Sequence, residues 1–201
     1  MQYSFHIYNK MSADGITMGL DSLLQEDRIK KQNKKTRTQH EREWEHAPVI
    51  VCVGSDLAIG DSLGPITGSM LKYKTQGLKT FIYGTLASPV TAKEIRYLRA
   101  FLKETHPNNQ VIAIDAAVGV EGDIGLIKLA DSPLLPGAGA NKKLGAIGDV
   151  SVMGIVAEKS VANFGLLNTT RLHLVYSMAE QISSAVSTLL WDRDARLKKV
   201  K

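Results

Sequence analysis

Four oxygen-bearing side chains stand at the places where an α/β chain does its chemistry. Asp56 and Asp61 lie in GSDLAIGDSLGP, directly after the β-branched run at residues 49–53. Thr85 follows the short apolar stretch that ends at Tyr83, and Asp115 follows VIAI at residues 111–114. In open α/β sheets, loops and helix N-termini converge outside the carboxyl ends of the strands, and ligands bind there. Two carboxylates held close together cannot both ionise freely, so one keeps a proton while the other stays charged. Such a pair can activate water and protonate a leaving group. Asp61 and Asp115 can meet only if the strands preceding them are near neighbours, which doubly wound order permits without demanding.

Each of these residues also has a plainer reading. Aspartate after a strand or before a helix is commonly a cap or turn residue, and for Asp56 that reading is the stronger one. Thr85 and Ser88 lead into a helix predicted to start at Pro89, with Ser88 as N-cap and Pro89 at the first helical position. Gly137 and Gly139, followed by Lys142 and Lys143, could cradle an anion, but the spacing is not that of a Walker A loop. The histidines (His6, His40, His46, His106, His173) are scattered and form neither a metal-ligand cluster nor a Ser-His arrangement. Cys52, in the middle of a predicted strand, reads as a buried side chain rather than a nucleophile. The residues call for no cofactor and no bound metal.

A βα alternation positions these residues. Strands are predicted at 49–53, 80–83, 111–114, 124–129 and 151–156. Helices are predicted from Leu63 to about Gly77, from Pro89 to His106 ahead of Pro107, and from an N-cap at Asn168 to about Trp191. Between the fourth and fifth strands lies the Gly/Pro-rich loop 131–149, and loops of that length inside a compact domain tend to be functional. The architecture implied is a three-layer α/β/α sandwich on a mostly parallel sheet, spanning 47–201.

Residues 1–46 differ in texture. Ile16, Leu20, Leu23 and Leu24 recur at helical spacing, and a polar, mostly basic run follows. The expectation is an extension made of one short amphipathic helix and a solvated connector. The basic run lacks aromatic residues that could stack on bases, which disfavours a nucleic-acid partner. The chain has 201 residues, 44% of them hydrophobic, and a net charge of +5 from 25 basic against 20 acidic side chains; these figures suit one soluble domain with a sizeable core. A single cysteine excludes an intrachain disulfide framework and a Cys-based zinc site, and fits a reducing cytoplasm. No signal-peptide pattern and no apolar run of membrane-spanning length occurs, so neither export nor a membrane partner is expected.

Five stretches taken together, GSDLAIGDSLGP (54–65), YGTLASPVTA (83–92), IAIDAAVG (112–119), PGAGANKKLGAIGDVSVMGIV (136–156) and LLNTTRLHLVYSMAEQI (166–182), resemble the spore protease YyaC-like family of sporulating Firmicutes. That family is related to the germination protease that degrades small acid-soluble spore proteins. The resemblance implies a phosphorylase/hydrolase-like fold and an aspartic-type endopeptidase site. Within it, Asp61 in GDSLGP matches one functional aspartate of the germination protease and Asp115 in DAAVG matches the other. PGAGANKK resembles a further loop of that protease, which would carry Lys142 and Lys143 toward the same rim. The implied mechanism has Asp61 and Asp115 share a proton and activate water on a peptide carbonyl, with Asp56, Thr85, Gly137, Gly139 and Lys142 as supporting or substrate-binding residues.

The implied partner is a protein substrate, small acid-soluble spore proteins being the example, in the cytoplasm of the sporulating cell or spore; a homo-oligomer is compatible. The hydrogenase maturation endopeptidase is a second relative of the same kind of fold. Its pattern would use Asp61 and Asp115 toward nickel, but loop 131–149 offers no histidine as a third ligand. The alternative from another class is a catalytically silent binding or regulatory protein of sporulation.

Overall fold

The computed structural model describes residues 2–34, 47–136, 145–159 and 170–199. Six strands form one sheet: β1 (Gln2–His6), β2 (Val49–Cys52), β3 (Ile82–Tyr83), β4 (Val111–Gly119), β5 (Leu126–Ala130) and β6 (Val150–Glu158), in the order β1-β5-β6-β4-β2-β3. β3, β2, β4 and β6 run parallel, whereas β5 is antiparallel to β6 and β1 antiparallel to β5. β2 is buried at all four positions, as a parallel strand covered on both faces should be.

Helices cover both faces. On one side α1 (Ser12–Lys34), α2 (Leu63–Lys74) and α4 (Leu172–Lys199) pack on Ile50, Ile112, Ile114, Val150 and Val152. On the other, α3 (Ile95–Thr105) packs with Val90, Leu134 and Ile147 on Val49, Val51 and Ala113. The alternating β-branched residues of the parallel strands feed the two cores in turn. This is the three-layer α/β/α sandwich with a mostly parallel sheet that the sequence implies. Among the described residues, no helix is long and apolar enough to cross a membrane.

Several elements differ from the sequence expectation. The N-terminal segment is built into the sandwich rather than appended to it. Tyr3 and Phe5 alternate along β1, which pairs with β5 from Gln2↔Ala130 to His6↔Leu126. α1 is no short helix either: it buries Ile16, Leu20, Leu23 and Leu24 and continues through the basic run to Lys34. Its lysines have acidic partners. Lys30 Nζ lies 2.6 Å from Asp131 Oδ2, and Lys31 Nζ lies 2.6 Å from Asp149 Oδ1 and 3.0 Å from Asp27 Oδ2. The rest of the expected connector, 35–46, lies outside the described residues, as does Asn168.

α3 starts at Ile95 instead of Pro89 because Val90 makes a parallel bridge to Val53. The residue before its first turn is Glu94 and not Ser88, and Thr91 and Glu94 close the turn that leads into it: the Thr91 N–H donates to Glu94 Oε2 at 3.0 Å, and the Lys93 N–H donates to Thr91 Oγ1 at 3.3 Å. At the far end of the chain α4 runs to Lys199, held to α1 where Arg193 Nη2 meets Asp21 Oδ1 at 3.1 Å.

Because α1 buries four large apolar side chains and β1 completes the sheet, a chain starting at residue 47 is expected not to fold. Circular dichroism should show loss of the cooperative thermal transition, since each buried leucine removed costs about 2–5 kcal/mol. A stable truncated domain would contradict this assembly.

Candidate functional site

The site forms where β2 stops and β4 does not. β2 and β4 are direct parallel neighbours with Cys52 opposite Ile114, and the Val53 N–H donates to Ile114 O at 2.7 Å. Asp115 is the next residue on β4. It sits in mid-strand, not at a strand end as the sequence suggested, because β4 continues to Gly119 paired with β6, and Asp115 stands opposite Met153. On its β2 side, however, Asp115 lies at the carboxyl end of the sheet.

Asp61 arrives from the loop after β2, within a turn of 3-10 helix at Gly60–Ser62 that packs against β4. Two glycines make this approach possible. Gly54 has φ +139°, and a Cβ there would lie 2.1 Å from Asp61 O. At Gly64, in the first turn of α2, a Cβ would lie 1.9 Å from Val53 O. The backbone is tied at the same point: Gly54 N–H donates to Val90 O at 2.9 Å and Ser55 N–H to Asp61 O at 3.1 Å. Leu63, fully buried, anchors the start of α2 in the core just after the turn.

The electrostatics are those of an interacting carboxyl pair. Asp115 is buried, and its carboxyl is held well above the ordinary carboxylate range, first by loss of solvation and second by the negative charge of Asp61. The Ala116 N–H, which donates to Asp115 Oδ1 at 2.8 Å, opposes the shift without cancelling it. Asp61 is only partly buried. The protonated form of Asp115 is therefore favoured, beside an Asp61 that solvent can reach.

The other expected site residues fall into two groups. Asp56 is exposed in the loop, five positions before Asp61. Thr85 is buried and closes a small turn: its N–H donates to Ser88 O at 3.0 Å, and its Oγ1 accepts from Ser88 N–H at 3.2 Å. Gly137, Gly139, Lys142 and Lys143 lie outside the described residues. The roots of their loop are described, and they leave from the amino end of the sheet. Ala130 pairs with Ser151 there, and Asp149 Oδ2 accepts from Val111 N–H at 2.8 Å. Among the described residues, no group of three or more His, Cys, Asp or Glu side chains is placed to hold a metal ion. Cys52 is fully buried, and its thiol is pushed up by burial alone, as suits a packing residue. A cavity of about 370 Å³ beside the C-terminal end of α2 and β3 is lined by residues such as Lys72, Phe81 and Tyr83 and by none of the site aspartates.

The close-approach glycines are contributors that sequence reasoning passed over. Gly64 could have been singled out, since glycine directly before proline in a helix start offers no side chain to a helix face and so marks a backbone contact.

The family model described as a protein of unknown function (DUF1256) matches residues 22–185, which include both aspartates. The chain belongs to the DUF1256 family. A curated relative, the uncharacterized protein YyaC of Bacillus subtilis (strain 168), is 39% identical over 139 residues, covering 69% of this chain and 67% of that one. Among solved structures, the chain is similar to the NiFe hydrogenase maturation protease HycI from Thermococcus kodakarensis KOD1. That likeness has a TM-score of 0.44 at 18% identity and covers 71% of this chain and 91% of that chain.

Two outcomes are expected of the geometry around Asp61 and Asp115 in this chain. A folded-state value raised above the unfolded one means that Asp115 contributes stability while protonated and loses it as pH rises through its raised value. Asp115→Asn is thus expected to raise Tm at neutral pH and to flatten the decline of Tm with rising pH. At about 2–4 °C per kcal/mol for a domain of this size, calorimetry across pH 4–8 resolves the effect. Gly64→Ala is expected to destabilise by several kcal/mol in denaturant melts, because its Cβ would meet backbone rather than a side chain able to yield.

Proposed function

We propose that this chain is an aspartic-type endopeptidase of the germination-protease kind, acting on protein substrates in the sporulating cell or spore. What carries the reading is the placement of Asp61 beside the buried Asp115, where β2 has ended and its parallel neighbour β4 runs on, with protonation of Asp115 favoured by burial and by the Asp61 charge. A two-carboxyl site of this kind needs no cofactor.

In the proposed step, Asp61 takes a proton from a water molecule as the water oxygen bonds to the scissile carbonyl carbon. Asp115 gives its proton to the carbonyl oxygen, so little negative charge accumulates there. When the C–N bond breaks, the proton held by Asp61 goes to the leaving nitrogen, and Asp115 recovers a proton from the new hydroxyls. The opposed exposures support this division: the partly exposed Asp61 can reach water, and burial favours the protonated form of Asp115.

Purified small acid-soluble spore proteins are the first substrates to try, with mass spectrometry of the products from pH 4 to 8. Cleavage at defined bonds is expected, lost by about 10³-fold or more in both Asp61→Asn and Asp115→Asn, since each removes one half of the proton exchange. The rate should fall as pH rises through the raised value of Asp115, and fall again at low pH once the pair takes a second proton. Absence of cleavage at every pH by folded parent protein would transfer the reading to a silent binding protein of sporulation.

A further inference from the structure

β3 is the last strand on its side of the sheet, and its outer edge is open. Ile50 of β2 stands opposite Ile82 in parallel register, and the Ile50 N–H donates to Phe81 O at 2.9 Å. With the Phe81 carbonyl turned toward β2, the N–H and C=O of Ile82 turn away from it, which puts one donor and one acceptor on the free edge. Strand edges are commonly blunted by a proline or a charged side chain. The stretch TFIYG (80–84) has neither and is rich in strand-forming residues.

The cavity of about 370 Å³ lies along this edge. Its lining takes in Thr80, Phe81, Ile82 and Tyr83 in succession, and side chains in a strand alternate between the two faces, so the cavity opens on the edge of β3 rather than on one face of the sheet. Phe81 is half exposed, yet its ring is seated against His106 with centroids 4.4 Å apart. His106 is held in turn, its Nε2 lying 2.7 Å from Tyr83 Oη. The edge and its aromatic wall are in place when nothing is bound, so a ligand that covers them need not first order them.

Charge narrows the occupant. From 62 to 93 the chain holds Lys72, Lys74, Lys79 and Lys93 and no Asp or Glu. Lys72 lines the cavity, Lys79 stands between the lining residues Leu78 and Thr80, and both are exposed. The negative end of the α2 dipole is muted beside them, because the Thr75 N–H donates to Leu71 O at 2.9 Å and Trp191 Nε1–H to Lys74 O at 3.0 Å. A second copy paired edge to edge would set lysines against lysines, whereas an acidic segment meets opposite charge.

We propose that the free edge of β3 docks an extended, acidic segment of a partner protein, which adds to the sheet as a further strand through Ile82 N–H and C=O and sets its carboxylates against Lys72 and Lys79. None of the site aspartates lines the cavity, and the proposal does not rest on the endopeptidase reading. It assigns a partner held apart from the carboxyl pair, not the residues around a scissile bond.

The test is fluorescence anisotropy of labelled synthetic peptides titrated with the full chain. The peptides alternate Glu with Val, Ser with Val or Lys with Val, and one N-methylated version of the Glu peptide keeps its charge but lacks backbone donors. The Glu peptide is expected to bind about 10-fold or more tightly than the Ser and Lys peptides, with an affinity that falls as salt is raised. Lys72→Glu and Lys79→Glu should each weaken it about 5-fold, Lys10→Glu should leave it unchanged, and the N-methylated peptide should not bind. Asp61→Asn protein should bind as the parent does; loss of binding in that variant places the peptide at the carboxyl pair and overturns the proposal. Binding that survives N-methylation, or that ignores both groove lysines, overturns strand addition at this edge, as does equal binding of the Lys peptide or no binding of any. Sedimentation of the parent alone covers the remaining occupant: a dimer that Phe81→Ser dissociates gives the edge to a second copy and overturns the proposal.

Discussion

The structure depends on a step in the sheet. β2 ends at Cys52 while its neighbour β4 runs on to Gly119, so from Asp115 onward β4 is paired with β6 but no longer with β2. Into the space beyond the shorter strand the chain turns back on itself, through Gly54 and the 3-10 turn, to bring Asp61 against β4. The turn is compact because α2 starts immediately: Gly64 rests on Val53 O and Leu63 fills the core beside Gly154. Strand length, glycine placement and one buried leucine thus fix the distance between two carboxyls that neither loop could fix alone.

That arrangement is costly for folding and has to be supported elsewhere. A carboxyl in the position of Asp115 gives up hydration, and its single described hydrogen bond from Ala116 N–H does not replace what water supplied. Local conflict of this sort is expected at functional sites rather than in ordinary cores. The support comes from the face built by α1, α2 and α4, where residues such as Leu20, Ile114, Val152 and Ile182 are fully buried. The α3 face is smaller and includes the loop residues Leu134 and Ile147. The larger face carries the helix whose start defines the position of Asp61.

The parallel core was legible in the sequence because β-branched runs are strong local signals, and the Asp residues that follow two of those runs marked Asp61 and Asp115 as candidates. What was hidden depends on pairing between distant residues. Whether Asp61 and Asp115 meet is decided by β2 and β4 being neighbours, which no pattern within either segment encodes. The extension of β4 past Asp115 is carried by pairing with β6, since AAVG alone reads as a turn. Pro89 suggested a helix start by local rule, but Val90 is drawn into a bridge with Val53, and the helix starts only after the turn from Thr91 to Glu94. The N-terminal segment was misread for a related reason. A two-faced edge strand such as QYSFH has weak alternation, and the basic run of α1 looked solvated because its acidic partners, Asp131 and Asp149, lie about a hundred residues away.

Those ion pairs also separate the two rims of the sheet by role. At the amino end, Lys31 and the Val111 N–H share the Asp149 carboxylate, and Lys30 holds Asp131, so both roots of the 131–149 loop are fastened to α1. Each pair is partly exposed and contributes little alone, but Asp149 also satisfies a strand N–H that the sheet leaves open. At the carboxyl end the loops of β2 and β3 carry no cation, and their charge is left to Asp56 and Asp61. A surplus of basic residues in the whole chain therefore says little about the site. Lys30 and Lys31 serve the amino rim, and neither contributes to the loops that carry Asp56 and Asp61.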